Sequence, residues 1–412
     1  MNSPFLSRFS RPARHVLLGF SLMLGAAQLH AQQAWTFAQL LQSATDTHPL
    51  MLGKRSAQDV ARAEKSGAEW ARYPTPTLET YSRNINGSTG VARLEQPIYS
   101  GGRITASIDA AGNRLDAAGA SIEETRVDLR LRVIAATVEA LRQKARLQFA
   151  DASVTEHRKL LDMIGRRVKQ EVSSAVDQSL AESRLYQAIN DQSSIAQAYR
   201  NALTQLGQLA GRPVADLSAQ GVSEQGTPND VETARQLAKE YSPVLKRLGF
   251  EEAAANSDIS VRRAAMFPQL AVRLERAMGT IGESRALFVL QAQPGAGLSA
   301  QSGVEAALGR RESSRQAREA ALRDIDERID VDWNELQAAR LRLANSEQAR
   351  EMSGQVFASY TRQYVIGRKS WLDVLNAVRE ATQADFAVED ARAQALGASL
   401  RLRTQTGTLG IQ

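Results

Sequence analysis

Cysteine is absent from all 412 residues. Its absence excludes disulfides, thiol catalysis, thiolate metal sites and a lipid-modified N-terminal cysteine. Histidine is nearly as scarce. Of the four, His15 and His30 lie in the first 31 residues, which leaves His48 and His157 in the rest of the chain. Two histidines cannot build a His-rich metal centre. Aromatics make up 5% of the chain and prolines number 11. Beyond residue 31 there is no run of about 18 apolar residues, so no membrane-spanning helix is expected. An excess of one charge is also missing. Residues 1–31 hold Arg8, Arg11 and Arg14 and no acid, so 51 Lys+Arg become 48 against 45 Asp+Glu. That near balance argues against a nucleic-acid partner, despite a pI of about 9.6.

The first segment has the form of an export signal. A basic stretch to Arg14 precedes the apolar run Val16–Ala27, and Leu29-His30-Ala31 offers a small-residue cleavage site. The run is short for a spanning helix. The rest of the chain is therefore expected outside the cytoplasm, either soluble or inserted through β-strands. Ala, Arg, Gln, Leu and Glu dominate long proline-free stretches, the composition of long helices and coiled coils.

The chain repeats itself. Pro49 and Pro74 recur as Pro243 and Pro268, offset by 194. Gln96-Pro97 recurs as Gln293-Pro294. At an offset of 196, Asp177, Ala181, Gln187, Ala188, Leu206 and Gly211 recur as Asp373, Ala377, Gln383, Ala384, Leu402 and Gly407. An ordered series at nearly constant offset indicates duplication. The expected organisation is a signal at 1–31, a first repeat at 32–211, a linker at 212–231 and a second repeat at 232–412. Each repeat holds a helix opened by proline, a β-hairpin (77–98, then 269–293, the first with turn residues Asn86-Gly87-Ser88) and a long helical hairpin (103–209, then 304–405).

Val127, Leu131, Ile134, Val138, Leu141 and Ala145 alternate steps of four and three, a seven-residue repeat. Leu322, Ile325, Ile329, Trp333, Leu336 and Leu343 form a looser stripe. Helices of this length, roughly 100 Å at 1.5 Å per residue, must pack side by side. In the strands, Leu270, Val272 and Leu274 alternate with Ala271, Arg273 and Glu275, and Ala92, Leu94 and Ile98 with Arg93, Glu95 and Tyr99. One face suits lipid and the other a wet lumen, although a half-solvated soluble hairpin has the same pattern. Four strands cannot close a barrel, so membrane insertion would require several chains; three would supply twelve strands.

Three runs then carry a resemblance to the TolC family of bacterial outer-membrane efflux and secretion channels, over essentially the whole chain after the signal. They are Leu94–Arg103 (LEQPIYSGGR), Tyr364–Ala377 (YVIGRKSWLDVLNA) and the copy-one counterpart of the latter, Val172–Asp177 (VSSAVD). The resemblance implies a mainly α fold with a small membrane β part, two tandem repeats of long coiled-coil helices plus hairpin. It implies a homotrimer whose 12-stranded β-barrel sits in outer-membrane lipid over an α-helical barrel in the periplasm. It also implies a periplasmic adaptor and an inner-membrane pump of ABC or RND type as partners, with no cofactor and no chemistry of the channel's own. By motif position, the adaptor-docking turns would be Val172, Ser173, Ser174 and Ala175, then Val365, Ile366, Gly367 and Arg368. The periplasmic gate would be Asp177, Tyr364, Lys369 and Asp373, with Asp373 forming a luminal carboxylate ring that favours cations. Where the family pattern has a further aspartate, this sequence has Asn376, so a doubled acidic ring is not implied.

Read without the resemblance, Asp177 suits a helix N-cap, and Tyr364 and Lys369 suit a solvated surface. Asp324, Asp326, Glu327, Asp330, Asp332 and Glu335 scatter around one helix and read as a solvated face. No nucleophile–base pair, metal cluster or phosphate loop emerges: the run ending Gly367-Arg368-Lys369-Ser370 lacks the upstream glycine and the Gly-Lys pair of a P-loop. The expected function is the exit duct of a type I secretion or multidrug efflux system. Secretion is favoured on the missing lipid-attachment cysteine, the compact hairpins and the abrupt C-terminus. The alternatives are an exported coiled-coil structural or adhesive protein without a pore, and a periplasmic adaptor, which would have one helical hairpin flanked by β-rich domains.

Overall fold

The computed structural model describes residues 34–83, 87–278, 283–292 and 299–410. The export signal, Asn86 of the first hairpin turn and the Gln293-Pro294 pair lie outside the described residues. The first half runs α1 (Phe37–Thr47), α2 (Pro49–Trp70), β1 (Thr75–Arg83), β2 (Gly87–Tyr99), α3 (Arg103–Lys169) and α4 (Ala175–Ala210). The second runs α5 (Val231–Tyr241), α6 (Pro243–Ala264), β3 (Gln269–Met278), β4 (Ser284–Gln291), α7 (Ser299–Val365) and α8 (Trp371–Gln405). The halves agree element by element. Helices α1 and α5 have 11 residues each, α2 and α6 have 22, and α3 and α7 have 67.

The short helices α1 and α5 have no counterpart in the sequence reading. Each ends two residues before the proline that opens the next helix, so the two helices run together as one pattern. Thr36 caps α1 in a reciprocal box with Gln39, and Asp230 accepts from Thr233 N–H at 2.7 Å to cap α5. At the joints, His48 Nδ1 accepts from Leu50 N–H (3.2 Å) and Ser242 Oγ accepts from Leu245 N–H (3.2 Å), while Pro49 and Pro243 take the first helical turn.

The long helices lie side by side in the order α4, α3, α8, α7, and α4 and α7 do not pack on each other. Of the α3 stripe expected from the sequence, Ile134 is buried and the other five residues are half-buried. The fully buried seam is Leu129, Val133, Ala136, Ala140 and Gln143, the same four-three alternation rotated on the helix. Alanines at its centre let α1, α4 and α8 approach closely, and Phe37, Leu40, Leu206 and Leu400 close over them. In the second half Ala234 and Ala238 of α5 meet Ile329, Leu336, Ala395 and Leu402.

The acidic run on α7 is only in part a solvated face: Asp324 and Glu327 are exposed, and the other four acids are paired. Arg235 of α5 donates bidentately to Asp330 (2.8 and 2.7 Å), and Lys239 pairs with Asp326 (2.8 Å). Arg401 of α8 donates to Asp332 (2.7 Å) and Glu335 (2.6 Å). These four acids scatter because they answer cations on two different neighbours. The linker is stapled as well. Asp216 Oδ1 accepts from Lys144 Nζ (2.6 Å), Tyr199 Oη (2.7 Å) and Leu217 N–H (2.8 Å). Those bonds hold its carboxyl below the usual range, Lys144 being the largest contributor.

The four strands form one antiparallel sheet in the order β1-β2-β3-β4. Leu94 stands opposite Leu274, Val272 opposite Phe288 and Leu270 opposite Leu290, so one face is apolar. The other carries an ion ladder: Glu275 accepts from Arg93 (3.0 Å) and Arg285 (2.7 Å), Arg273 pairs with Glu95 (2.7 Å), and Arg93 also pairs with Glu79. The expected place of Tyr99 on this polar face is corrected. A bulge between Pro97 and Tyr99 leaves Ile98 unpaired and sets Tyr99 opposite Leu270, on the apolar face. Pro97 has no N–H to give the ladder, which is why the irregularity falls there. The outer edges of β1 and β4 have no strand neighbour among the described residues. No described helix is long and apolar enough to cross a membrane.

Candidate functional site at the helical turns

The two long helical hairpins end in turns of the same construction. In the first, α3 closes with Glu171 N–H donating to Val168 O (3.0 Å) and Val172 N–H to Arg167 O (2.9 Å). Ser174 then starts α4: its Oγ accepts from Asp177 N–H (3.2 Å) while its own N–H donates to Asp177 Oδ2 (3.1 Å). In the second, Gly367 N–H donates to Tyr364 O (3.0 Å) and Arg368 N–H to Gln363 O (2.9 Å). Ser370 starts α8 in the same reciprocal box with Asp373 (3.2 and 3.1 Å). Every partner is displaced by 196 residues between the two turns. Position C′ differs: Gly367 takes φ 76° at no steric cost, whereas Glu171 takes φ 57° with a side chain.

Asp177 is thus the third residue of its helix and reaches back to the cap, and the cap itself is Ser174. Asp373 does the same, and Ser370 Oγ lies 2.8 Å from its Oδ2. The bonds from Ser370, side chain first and then backbone, hold the Asp373 carboxyl below the ordinary carboxylate range, with Lys369 adding a nearby positive charge.

Tyr364 is buried, not a solvated side chain. Arg167 of α3 stacks its guanidinium over the ring at 4.4 Å, and the hydroxyl is buried without a partner. Lys369 lies over the ring of Tyr360 at 4.3 Å. Within the chain no hydrogen bond or ion pair joins Asp177, Tyr364, Lys369 and Asp373 to one another, Asp177 and Asp373 each being turned onto its own serine. Beneath them Leu160, Ile164, Ala181, Trp371, Val374, Leu375 and Val378 form a core that ties the two turns together. Trp371 opens α8 and buries its indole with Nε1 unpartnered. Its role, and those of Arg167 and Tyr360, escaped the sequence reading, because nothing in sequence spacing says which aromatic turns inward.

The turn residues themselves project outward. Val172, Val365 and Ile366 are each more than 60% exposed, and Ala175, Gly367 and Arg368 are exposed beside them. Ser173 is half-buried and Ser174 is exposed. Three exposed aliphatic side chains thus gather at the two turns.

A model of the family described as outer membrane efflux protein matches residues 40–212 and 234–408, one match for each half. The cobalt-zinc-cadmium resistance protein CzcC of Cupriavidus metallidurans is 26% identical over 335 residues, 76% of each chain. Among solved structures, CusC superposes with a TM-score of 0.81 at 17% identity, covering 97% of this chain and 98% of that one. VceC of Vibrio cholerae gives 0.77 at 16% identity, covering 91% and 97%. A membrane protein from Pseudomonas aeruginosa gives 0.78 at 18%, covering 90% and 93%. At these identities the structures speak for the fold. The family match over both halves decides the rest: the chain belongs to the outer membrane efflux protein family, as a TolC-like channel protein of the outer membrane that extends into the periplasm.

Proposed function

We propose that three copies of this chain form the exit duct of a tripartite export assembly, fed by an inner-membrane pump through a periplasmic adaptor. The observation that carries this is the sheet. It has an apolar face, an ion-laddered face and two open edges, and such a sheet is stable in a bilayer only when closed. Pairing β1 of one copy with β4 of the next makes a twelve-stranded barrel with the Arg/Glu ladder inside. The same operation brings α4 of one copy against α7 of the next. Those two helices stand at the two ends of the α4, α3, α8, α7 row and expose Val176, Tyr186, Leu341 and Met352. Trp70, Tyr73, Tyr99 and Phe267 stand exposed where helices meet strands, the level expected of an interfacial aromatic girdle.

The duct needs no chemistry of its own; transport energy comes from the pump. The exposed tips Val172–Ala175 and Val365–Arg368 dock the adaptor, and Asp177, Tyr364, Lys369 and Asp373 gate the periplasmic end. Efflux of small molecules is taken over protein secretion as the duct's task, in line with the printed name of the relative, cobalt-zinc-cadmium resistance protein.

The test is the molar mass of the detergent-extracted protein by light scattering corrected for detergent. Three chains per particle support the shared barrel; a monomer or dimer that needs no detergent refutes it. For the gate, Tyr364→Phe with Lys369→Ala is expected to raise single-channel conductance in planar bilayers, and unchanged conductance counts against the assignment.

A further inference from the structure

Midway along the helical bundle, α3, α4 and α8 leave a cavity of about 340 Å³ between them. Its size lies within the range of small-molecule sites, and its lining is unusual for a bundle interior. Three guanidinium groups reach it, one from each helix: Arg146, Arg184 and Arg379. The single carboxylate in the wall is Asp191, so the cavity is net positive before anything enters it.

The three arginines are incompletely satisfied. Arg379 is exposed and has no ion-pair or hydrogen-bond partner among the described residues. Arg184 spends one N–H on Gln187 Oε1 (3.0 Å). Arg146 stacks over Phe386 (4.8 Å to the ring centroid) and holds Asp390 at a long 3.4 Å, and its Nε is buried with no partner. At the floor, buried His157 lies with Nδ1 2.8 Å from Ser153 O. That nitrogen therefore carries the proton and donates, and Nε2 remains uncommitted. Guanidinium forks lining one cleft are the usual donor set for carboxylate and phosphate.

The groove also has a definite aspect. On α8, Asn376 and Gln383 line it, while Ser399 bonds Thr227 (2.6 Å) and Arg403 bonds Ser223 O (3.0 Å) on the linker. At about 100° per residue, Asn376 and Gln383 lie roughly 140–160° around the helix from Ser399. The α8 part of the wall thus stands on the side away from the linker. In a closed helical tube the linker must lie outside, since it would otherwise fill the bore, and so the cavity faces the transport path.

We propose that this cavity is a binding station for small organic anions in transit, one per chain, with Arg184 and Arg379 as its principal ligands for a carboxylate or phosphate group. The proposal rests on the duct reading for its place in transport, but its test does not need a conducting pore. Isothermal titration calorimetry on the detergent-solubilised protein, at fixed ionic strength with chloride as the competing anion, would use citrate and inorganic phosphate as probes. Saturable binding of at least one is expected. Arg184→Gln with Arg379→Gln should weaken it roughly tenfold or more, and Arg379→Glu alone should do so without touching packing. Arg323→Gln, a loss of the same charge on the exposed surface of α7, should leave it unchanged. No saturable binding of either probe overturns the proposal, as does equal binding by the double variant or equal loss in Arg323→Gln. Light scattering on the same sample judges the trimer separately, so a failed site and a failed duct are told apart.

Discussion

Gly211 and Gly407 are the same position in the two repeats, and the structure assigns them different costs of substitution. Both close a return helix in the left-handed region, at φ 68° and 73°. An alanine there pays for that backbone about 1–2 kcal/mol in either repeat. What a new Cβ would meet is not the same. At Gly211 the nearest atom is Thr47 Oγ1 at 3.5 Å, an ordinary contact. At Gly407 the Cβ would fall 2.7 Å from Tyr241 Cδ2 and 2.8 Å from Cγ, inside the ring's van der Waals surface. Thr47 and Tyr241 are themselves repeat equivalents, each the last residue of a short helix, α1 and α5.

Gly407→Ala should therefore cost the backbone strain plus about 1–3 kcal/mol of overpacking, roughly 2–5 kcal/mol in all. Gly211→Ala should cost about 1–2 kcal/mol. The assay is thermal and urea unfolding of the purified protein in detergent, followed by far-UV circular dichroism. Tyr241→Leu provides the decisive comparison: in that background Gly407→Ala should lose most of its excess, leaving the backbone share, a coupling measurable in a double-mutant cycle. Equal costs at 211 and 407, or an excess that survives removal of the ring, would refute the reasoning.

Three further outcomes are expected. Glu171→Gly should stabilise the first turn by about 1 kcal/mol, because the left-handed residue that Gly367 supplies freely is there carried by a side chain; a rise in melting temperature checks it. Asp332→Ala should cost about 2–3 kcal/mol in urea unfolding, since it strips Arg401 and Gln405 of a buried acceptor (2.7 and 2.8 Å). The Asp216 carboxyl is depressed when folded, so its contribution is fully present above the ordinary carboxylate pKa and is lost as pH falls through the depressed value. Melting temperatures taken from pH 7 downward should show a loss in the wild type that is reduced in Asp216→Asn.

The duplicated plan was legible because its punctuation is chemical: Pro49 and Pro243 open helices, Gly211 and Gly407 close them, and Asp177 and Asp373 mark the starts of the return helices, although the caps themselves are Ser174 and Ser370. The long helices were legible because nothing in them can break. Three things were not. The α3 seam passed unseen because three of its five members are Ala136, Ala140 and Gln143, which a search for large apolar residues discounts. The acids of α7 looked solvated because their cations sit 66 to 95 residues away in sequence, on α8 and α5. Tyr99 changed faces because one unpaired residue reverses a period of two.

The same distinction bears on the turns. Their backbone is fixed locally, by caps written in four consecutive residues, and so it recurs faithfully at an offset of 196. What sits against that backbone is fixed by neighbours, and there the copies diverge: Arg167 over Tyr364 and Lys369 over Tyr360 have no equivalent in the first turn, where Val168 and Ser173 occupy the positions of Tyr364 and Lys369. In the proposed three-fold tube, a duplicated frame with unduplicated side chains would give six similar tips in two kinds. The aromatic and cationic contacts belong to one kind only. A gate that depends on them must therefore work through the α7–α8 tips, with the α3 end supplying Arg167 as the fixed partner. The first turn, with only aliphatic and hydroxyl side chains at those positions, would bring Asp177 alone to the proposed gate.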